Sequence, residues 1–122
     1  MEPKELALEI AKAADDKKAF DIDILDLGAL SDSFDYFVIA SCNNNRQVDA
    51  VVDEIENKLR DGFDVRAHSI EGQRTSQWTC MDFGSVIAHI FLPEGREYYR
   101  LEHLWGDAER TRYEGEEERE EE

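Results

Sequence analysis

Cysteine, proline and methionine each occur only twice in this chain of 122 residues, and lysine only five times. Two isolated cysteines, Cys42 and Cys80, cannot build a disulfide framework. Each lies in or beside an apolar run, where Cys serves as a small core residue, and a reducing cytosol fits. No apolar run approaches the roughly 20 residues that a membrane-spanning helix needs. The start, Met1-Glu2-Pro3-Lys4-Glu5, lacks the basic or apolar character of a targeting segment, so a soluble cytoplasmic protein is expected. Positive charge is scarce as well. Fourteen Lys and Arg stand against thirty Asp and Glu, a net charge of −16. Such a field repels nucleic-acid phosphates and anionic lipid, which disfavours direct nucleic-acid or membrane binding and favours a basic protein as partner.

The three histidines, His68, His89 and His103, never stand at metal-ligand spacing, and no Cys lies three or four residues from any of them. No metal site is expected, and no phosphate-binding loop or other cofactor motif is present. Five Lys against thirty acidic residues suggests adaptation to a salty cytoplasm, where carboxylates keep a protein hydrated and salt screens their repulsion.

With 41% hydrophobic residues the chain can build one modest core, and its length fits one domain. The domain is placed at residues 1–108. Residues 109–122 hold eight Glu and three Arg, a charge of −5 that leaves −11 for the rest. Without apolar periodicity, this Glu-rich tail reads as solvated or disordered.

Leu6, Ile10, Ala13 and Ala14 follow helical spacing, with Pro3 suited to a first turn, so a helix is predicted from Pro3 to about Lys17. Asp21 to Leu27 and Asp35 to Ser41 are short, bulky apolar runs that read as central strands. Asn43, Asn44 and Asn45 offer caps for a second helix whose stripe is Val48, Val51, Val52, Ile55 and Leu59, stopped by Gly62. Phe63 to His68 is predicted as a third strand, and Glu71 to Ser76 as a polar loop. Gln77 to Asp82 and Val86 to Leu92 should form a hairpin about the turn Asp82-Phe83-Gly84-Ser85. Side chains alternate along a strand, so Ile87, His89 and Phe91 should share one face and Val86, Ala88, Ile90 and Leu92 the other. Pro93 should close the sheet, with Glu94 to Leu104 helical. The expected fold is α/β, or α+β: a mixed sheet of about five strands flanked by helices.

Half of the aromatic residues, both tryptophans included, fall between Trp78 and Asp107. They are interleaved with Asp82, His89, Arg96 and Glu102, which are awkward core residues. Large rings beside charges are typical of a surface that grips another macromolecule.

Candidates for catalysis are weak. Asp21 and Asp23 have the spacing of a metal-binding pair in nucleotidyltransferases, but the Gly-Ser turn before such a pair is missing. The plainer reading has Asp21 starting the strand and Asp23 at its solvated edge. Cys42 precedes a helix, yet Arg46 follows after three residues where a phosphatase loop needs five. Asp82-Phe83-Gly84 matches a magnesium-binding tripeptide of protein kinases, but the chain lacks the other kinase segments, and Asp-x-Gly is a common turn. No nucleophile, base and orienting group come together, so a binding module without enzymatic activity is expected.

The ordered series Asp35-Tyr36-Phe37-Val38-Ile39-Ala40-Ser41, Asn45-Arg46-Gln47-Val48, Glu71-Gly72, Trp78, Asp82-Phe83-Gly84, His89-Ile90-Phe91, Arg96-Glu97-Tyr98-Tyr99 and Leu101-Glu102-His103-Leu104-Trp105-Gly106-Asp107 closely resembles the ribosomal silencing factor (Iojap-like) family. The similarity covers Leu6 to about Ala108. Cys42 stands where the family usually has Gly, and Asn44 where Ser or Thr is common; the Glu-rich tail lies outside the family's pattern. The resemblance implies a nucleotidyltransferase-like topology without catalytic carboxylates. It also implies binding to the fourteenth protein of the large ribosomal subunit, which blocks joining to the small subunit and represses translation when nutrients run short. Organellar relatives are tied to large-subunit assembly through the same contact, and some members form homodimers when free. Trp78, Asp82, Phe83, His89, Phe91, Tyr98, Leu104 and Trp105 are the expected contact residues, with Trp78, Tyr98 and Trp105 as anchors and Asp82 as a charge partner. A residual nucleotidyltransferase is the rival reading.

Overall fold

The structure, a computed structural model, describes residues 1–72 and 77–115. Helix α1 (Pro3–Asp16) begins with Pro3 in its first turn, where a missing N–H costs nothing, and buries Leu6, Ile10 and four alanines. Strands β1 (Phe20–Asp26) and β2 (Tyr36–Ser41) follow. In helix α2 (Asn45–Phe63) the Asn44 side chain accepts the Gln47 N–H at 2.9 Å, and all five residues of the expected apolar stripe are buried.

Gly62 does not end this helix. In the last turn it costs about 1 kcal/mol relative to Ala, and the stop falls at Asp64, which adopts the left-handed conformation (φ 56°) and donates its N–H to the Arg60 carbonyl. Asp is one of the few residues that tolerates this conformation. The helix therefore consumes Phe63, and the strand expected over 63–68 is absent; a three-residue strand β3 (Ser69–Glu71) takes its place in the sheet. Of the polar loop expected over 71–76, residues 73–76 lie outside the described part. The hairpin of β4 (Trp78–Asp82) and β5 (Val86–Phe91) forms as the turn chemistry predicts. Asp82 Oδ1 accepts the Gly84 N–H at 2.7 Å, and Gly84 sits at φ 89°.

After Pro93 the single expected helix is two: α3 (Pro93–Tyr99) and a four-residue α4 (Leu101–Leu104), separated by Arg100 in the left-handed region at φ 47°. Tyr98 and Leu101, three residues apart, consequently point to different surroundings: Tyr98 is exposed and Leu101 is buried. Nor does the sheet close at Pro93. Residues 109–112, read from the sequence as part of a solvated tail, form strand β6 (Glu109–Arg112), paired antiparallel with β1 from Asp23↔Arg112 to Asp26↔Glu109. The remainder of that tail, 116–122, lies outside the described part.

The six strands run in the order β3-β4-β5-β2-β1-β6, and every pair is antiparallel except β2 with β5. Helices α1 and α2 cover one face over Val38, Ala40, Met81, Val86, Ala88 and Ile90. The opposite face carries a second, smaller core of Leu25, Leu27, Phe37, Ile39, Ile87, Phe91 and Leu101. Registers between neighbouring strands place Arg112, Asp23, Ile39, His89, Cys80 and Glu71 in one row across this second face. The alternation predicted for β5 is the observed one.

Candidate functional site

Among the described residues α3 and α4 are the helices on the second face, and Arg96 ties them down. Asp23, expected at a solvated edge, is fully buried there. Its Oδ2 meets Arg96 Nη2 at 2.7 Å and Arg110 Nη2 at 2.8 Å, and its Oδ1 meets Arg112 Nε at 2.6 Å. Arg96 also donates to Ser41 Oγ at 2.9 Å, to Glu102 Oε1 at 3.1 Å and to the Asp21 carbonyl. The register of β1 shifts between Phe20 and Asp23, with Asp21 at φ 49°. This bulge aims the Asp21 carbonyl at Arg96 and its carboxylate at Arg112, 3.0 Å away. A carboxylate taken out of water needs this many charged donors. Both Asp23 oxygens are thereby engaged, which leaves no open position for the two-metal chemistry of a nucleotidyltransferase.

Beside this network the rings of the second face form one connected cluster. Phe37 meets His89 edge-on at 4.4 Å between centroids and Trp105 at 5.7 Å; Trp78 stacks on Phe91 at 5.3 Å and touches Tyr99 at 4.6 Å. At the centre the Trp78 indole N–H donates to His89 Nδ1 at 3.0 Å, and the Cys80 sulfur lies 3.5 Å from the same nitrogen. An indole nitrogen only donates, so Nδ1 must be unprotonated and the ring's proton sits on Nε2. Burial lowers the His89 pKa to about 3, keeping the ring neutral. The Nε2–H is buried and finds no hydrogen-bond partner among the described residues. An orphaned donor of this kind costs about 1–3 kcal/mol, so His89 is held at a price in stability.

The expected contact residues separate into three groups. Tyr98, at 80% exposure, and Leu104, at 75%, stand open on α3 and α4, an unusual state for large apolar side chains. Trp78, Trp105 and Asp82 are half-buried at the margin of the ring cluster. His89, at 5% exposure, and the fully buried Phe91 support the cluster from within. Phe83 departs furthest from expectation. It packs into the helix-side core on the opposite face with Met81, because side chains alternate along the chain and Asp82 between them faces the other way. Phe91 and Phe83 therefore present almost no surface in the free chain. Phe34, Phe37, Tyr99 and Cys80 lie in the same ring cluster as His89 or beside it and are not among the residues expected from the sequence. The parallel pairing of β2 with β5, which sets Phe37 beside Ile87 and Ile39 beside His89, could have been inferred only once both strands were known to be neighbours.

Nucleophilic chemistry has no support. The Cys42 thiol is buried and its pKa is pushed up to about 12, and that of Cys80 to about 11 by burial and by the charges of Glu71 and Asp82. Neither is a thiolate at neutral pH. Among the described residues no three His, Cys, Asp or Glu side chains are grouped to hold a metal ion, and no helix is long and apolar enough to cross a membrane.

The family described as "ribosomal silencing factor during starvation" (RsfS) matches residues 1–122. The ribosomal silencing factor RsfS of Bacillus subtilis is 39% identical over 108 residues, covering 88% of this chain and 91% of its own. The mouse mitochondrial assembly of ribosomal large subunit protein 1 is 42% identical over 74 residues, 58% of this chain and 32% of the mouse protein. A crystal structure of a Chromobacterium violaceum protein superposes with a TM-score of 0.82 at 33% identity, covering 94% of this chain and 95% of the other.

Proposed function

Since the chain belongs to the RsfS family of ribosomal silencing factors, we propose that it binds the fourteenth protein of the large ribosomal subunit and sterically blocks joining of the small subunit. No bond is made or broken in this reading, and translation is repressed by occupancy alone.

The observation that carries it is the exposure of Tyr98 and Leu104 on the α3–α4 segment, next to the half-buried Trp78 and Trp105 and on the side of the sheet that α1 and α2 leave open. A specific contact buries roughly 800 Å² on each partner, and aromatic anchors supply most of its energy. The charge of −16 favours a basic ribosomal protein and disfavours the rRNA around it, which fixes where the domain settles. Asp82, at the hairpin turn, supplies the local charge.

Pull-down of the purified fourteenth protein by wild type and by the Asp82→Lys and Tyr98→Ala variants tests the surface. Weaker capture by folded variants is expected, and unchanged capture would remove these residues from the site. Sedimentation with separated and joined subunits tests the mechanism: the protein should travel with free large subunits and be absent from joined ribosomes. The name of the mouse relative favours a second reading, in which the same contact serves large-subunit assembly. Accumulation of immature large subunits in cells lacking the protein would support that role.

A further inference from the structure

The ring cluster ends in a cleft of about 250 Å³, walled by Phe34 and Phe37 on one side and by Glu71, Cys80 and Asp82 on the other, with His89 between them. Neither Glu71 nor Asp82 pairs with a cation among the described residues. Burial first, and then the charges of these two carboxylates, raise the Cys80 pKa in the cleft wall. Within this negative, half-apolar setting His89 offers one hydrogen atom of fixed position. Trp78 locks the tautomer through Nδ1, and Nε2–H is left without an acceptor among the described residues.

We infer that this cleft is a recognition subsite for an uncharged hydrogen-bond acceptor, a carbonyl oxygen of the protein partner, which takes the His89 Nε2–H on docking. This rests on the proposed contact with the fourteenth protein of the large subunit. The chemistry of the acceptor follows by elimination. Phosphate or carboxylate would be repelled by Glu71, Asp82 and the net charge, and the neutral imidazole offers no charge in return. A carbonyl on a basic segment meets no such repulsion, and its flanking positive side chains would face the two carboxylates. Reaching Nε2 requires one wall to give way. Phe34 is suited to this, because it is half-buried, lies in the loop before β2 and touches Phe37 at 5.6 Å between centroids. An acceptor here gains the bond that the free protein lacks, so the subsite discriminates by the presence of one atom.

The test uses the full chain labelled with [15N]histidine and titrated with the purified fourteenth protein. In wild type the His89 Nδ1 resonance should stay at an unprotonated position throughout, while the Nε2–H proton moves downfield and exchanges more slowly in the complex. His89→Phe, which keeps a ring between Phe37 and Phe91, should bind about tenfold more weakly, the effect of one neutral hydrogen bond. Binding by wild type with an unchanged Nε2–H signal, together with wild-type affinity in His89→Phe, would overturn the subsite and leave the contact face standing. Absence of any binding by wild type would overturn the proposed contact and the subsite with it.

Discussion

Arg96 on α3 closes on Asp23 on β1 at 2.7 Å, across 73 residues of sequence, and the carboxylate it meets is fully removed from solvent. The pair joins α3, on the second face, to the strand β1.

Removing one partner should therefore cost more than removing a surface ion pair. Arg96→Met, which keeps the aliphatic stem, is expected to lower stability by about 3–5 kcal/mol, because Asp23 loses a donor it cannot replace with water. Urea unfolding followed by far-ultraviolet circular dichroism measures this; a loss below about 1 kcal/mol, the value of an exposed pair, would show that Arg110 and Arg112 suffice.

Gly95 lies so close to β4 that a Cβ added to it would stand 2.5 Å from the Gln77 carbonyl oxygen. Backbone blocks it there. Gly95→Ala should push α3 off the sheet and destabilise by about 1–3 kcal/mol, as overpacking does. Trp78, which touches Tyr99 on that helix, should report the shift in its fluorescence.

His89 gives stability a dependence on pH. Its folded pKa is lowered to about 3, against about 6.5 in an unfolded chain. Below about pH 6.5 the unfolded chain binds a proton that the folded one refuses, so stability is full above that value and falls on acidification by about 1.4 kcal/mol per unit. Between about pH 7 and about pH 5, wild type should lose about 2 kcal/mol more than His89→Phe. Parallel denaturation curves at the two pH values would refute this.

Tyr98→Ala and Leu104→Ala remove exposed side chains, so stability should change by less than about 0.5 kcal/mol. Binding to the fourteenth protein should weaken by roughly thirtyfold or more for an anchor. Calorimetric titration of the two variants separates an anchor from a bystander.

Several elements were legible in the sequence because their signals are local. Asn44 announced α2 with a side chain three residues from the N–H it caps, and the alternation of β5 sorted His89 and Phe91 from Ala88 and Ile90. The break at Arg100 carries no such sign, since nothing in Arg favours the left-handed region, and it turns Leu101 into the core while Tyr98 stays exposed. β6 was illegible for a different reason. Glu-Arg-Thr-Arg has no apolar pattern, and its place is set by Arg110 and Arg112 reaching a carboxylate far back in the chain. The burial of Asp23 was hidden by the same fact. A lone Asp on a strand reads as solvated until its cations are known. In the candidate site, composition pointed to the stretch from Trp78 to Asp107 but could not separate the exposed Tyr98 and Leu104 from the buried Phe91 and Phe83.

Strand β6 also fixes an order of events during synthesis. Asp23 leaves the ribosome early, yet Arg112 is 89 residues behind it, and the sheet edge stays unpaired until that distance has been translated. The first half of the chain thus carries Asp23 without Arg110 and Arg112 until the second arrives, and the domain should unfold and refold as one cooperative unit.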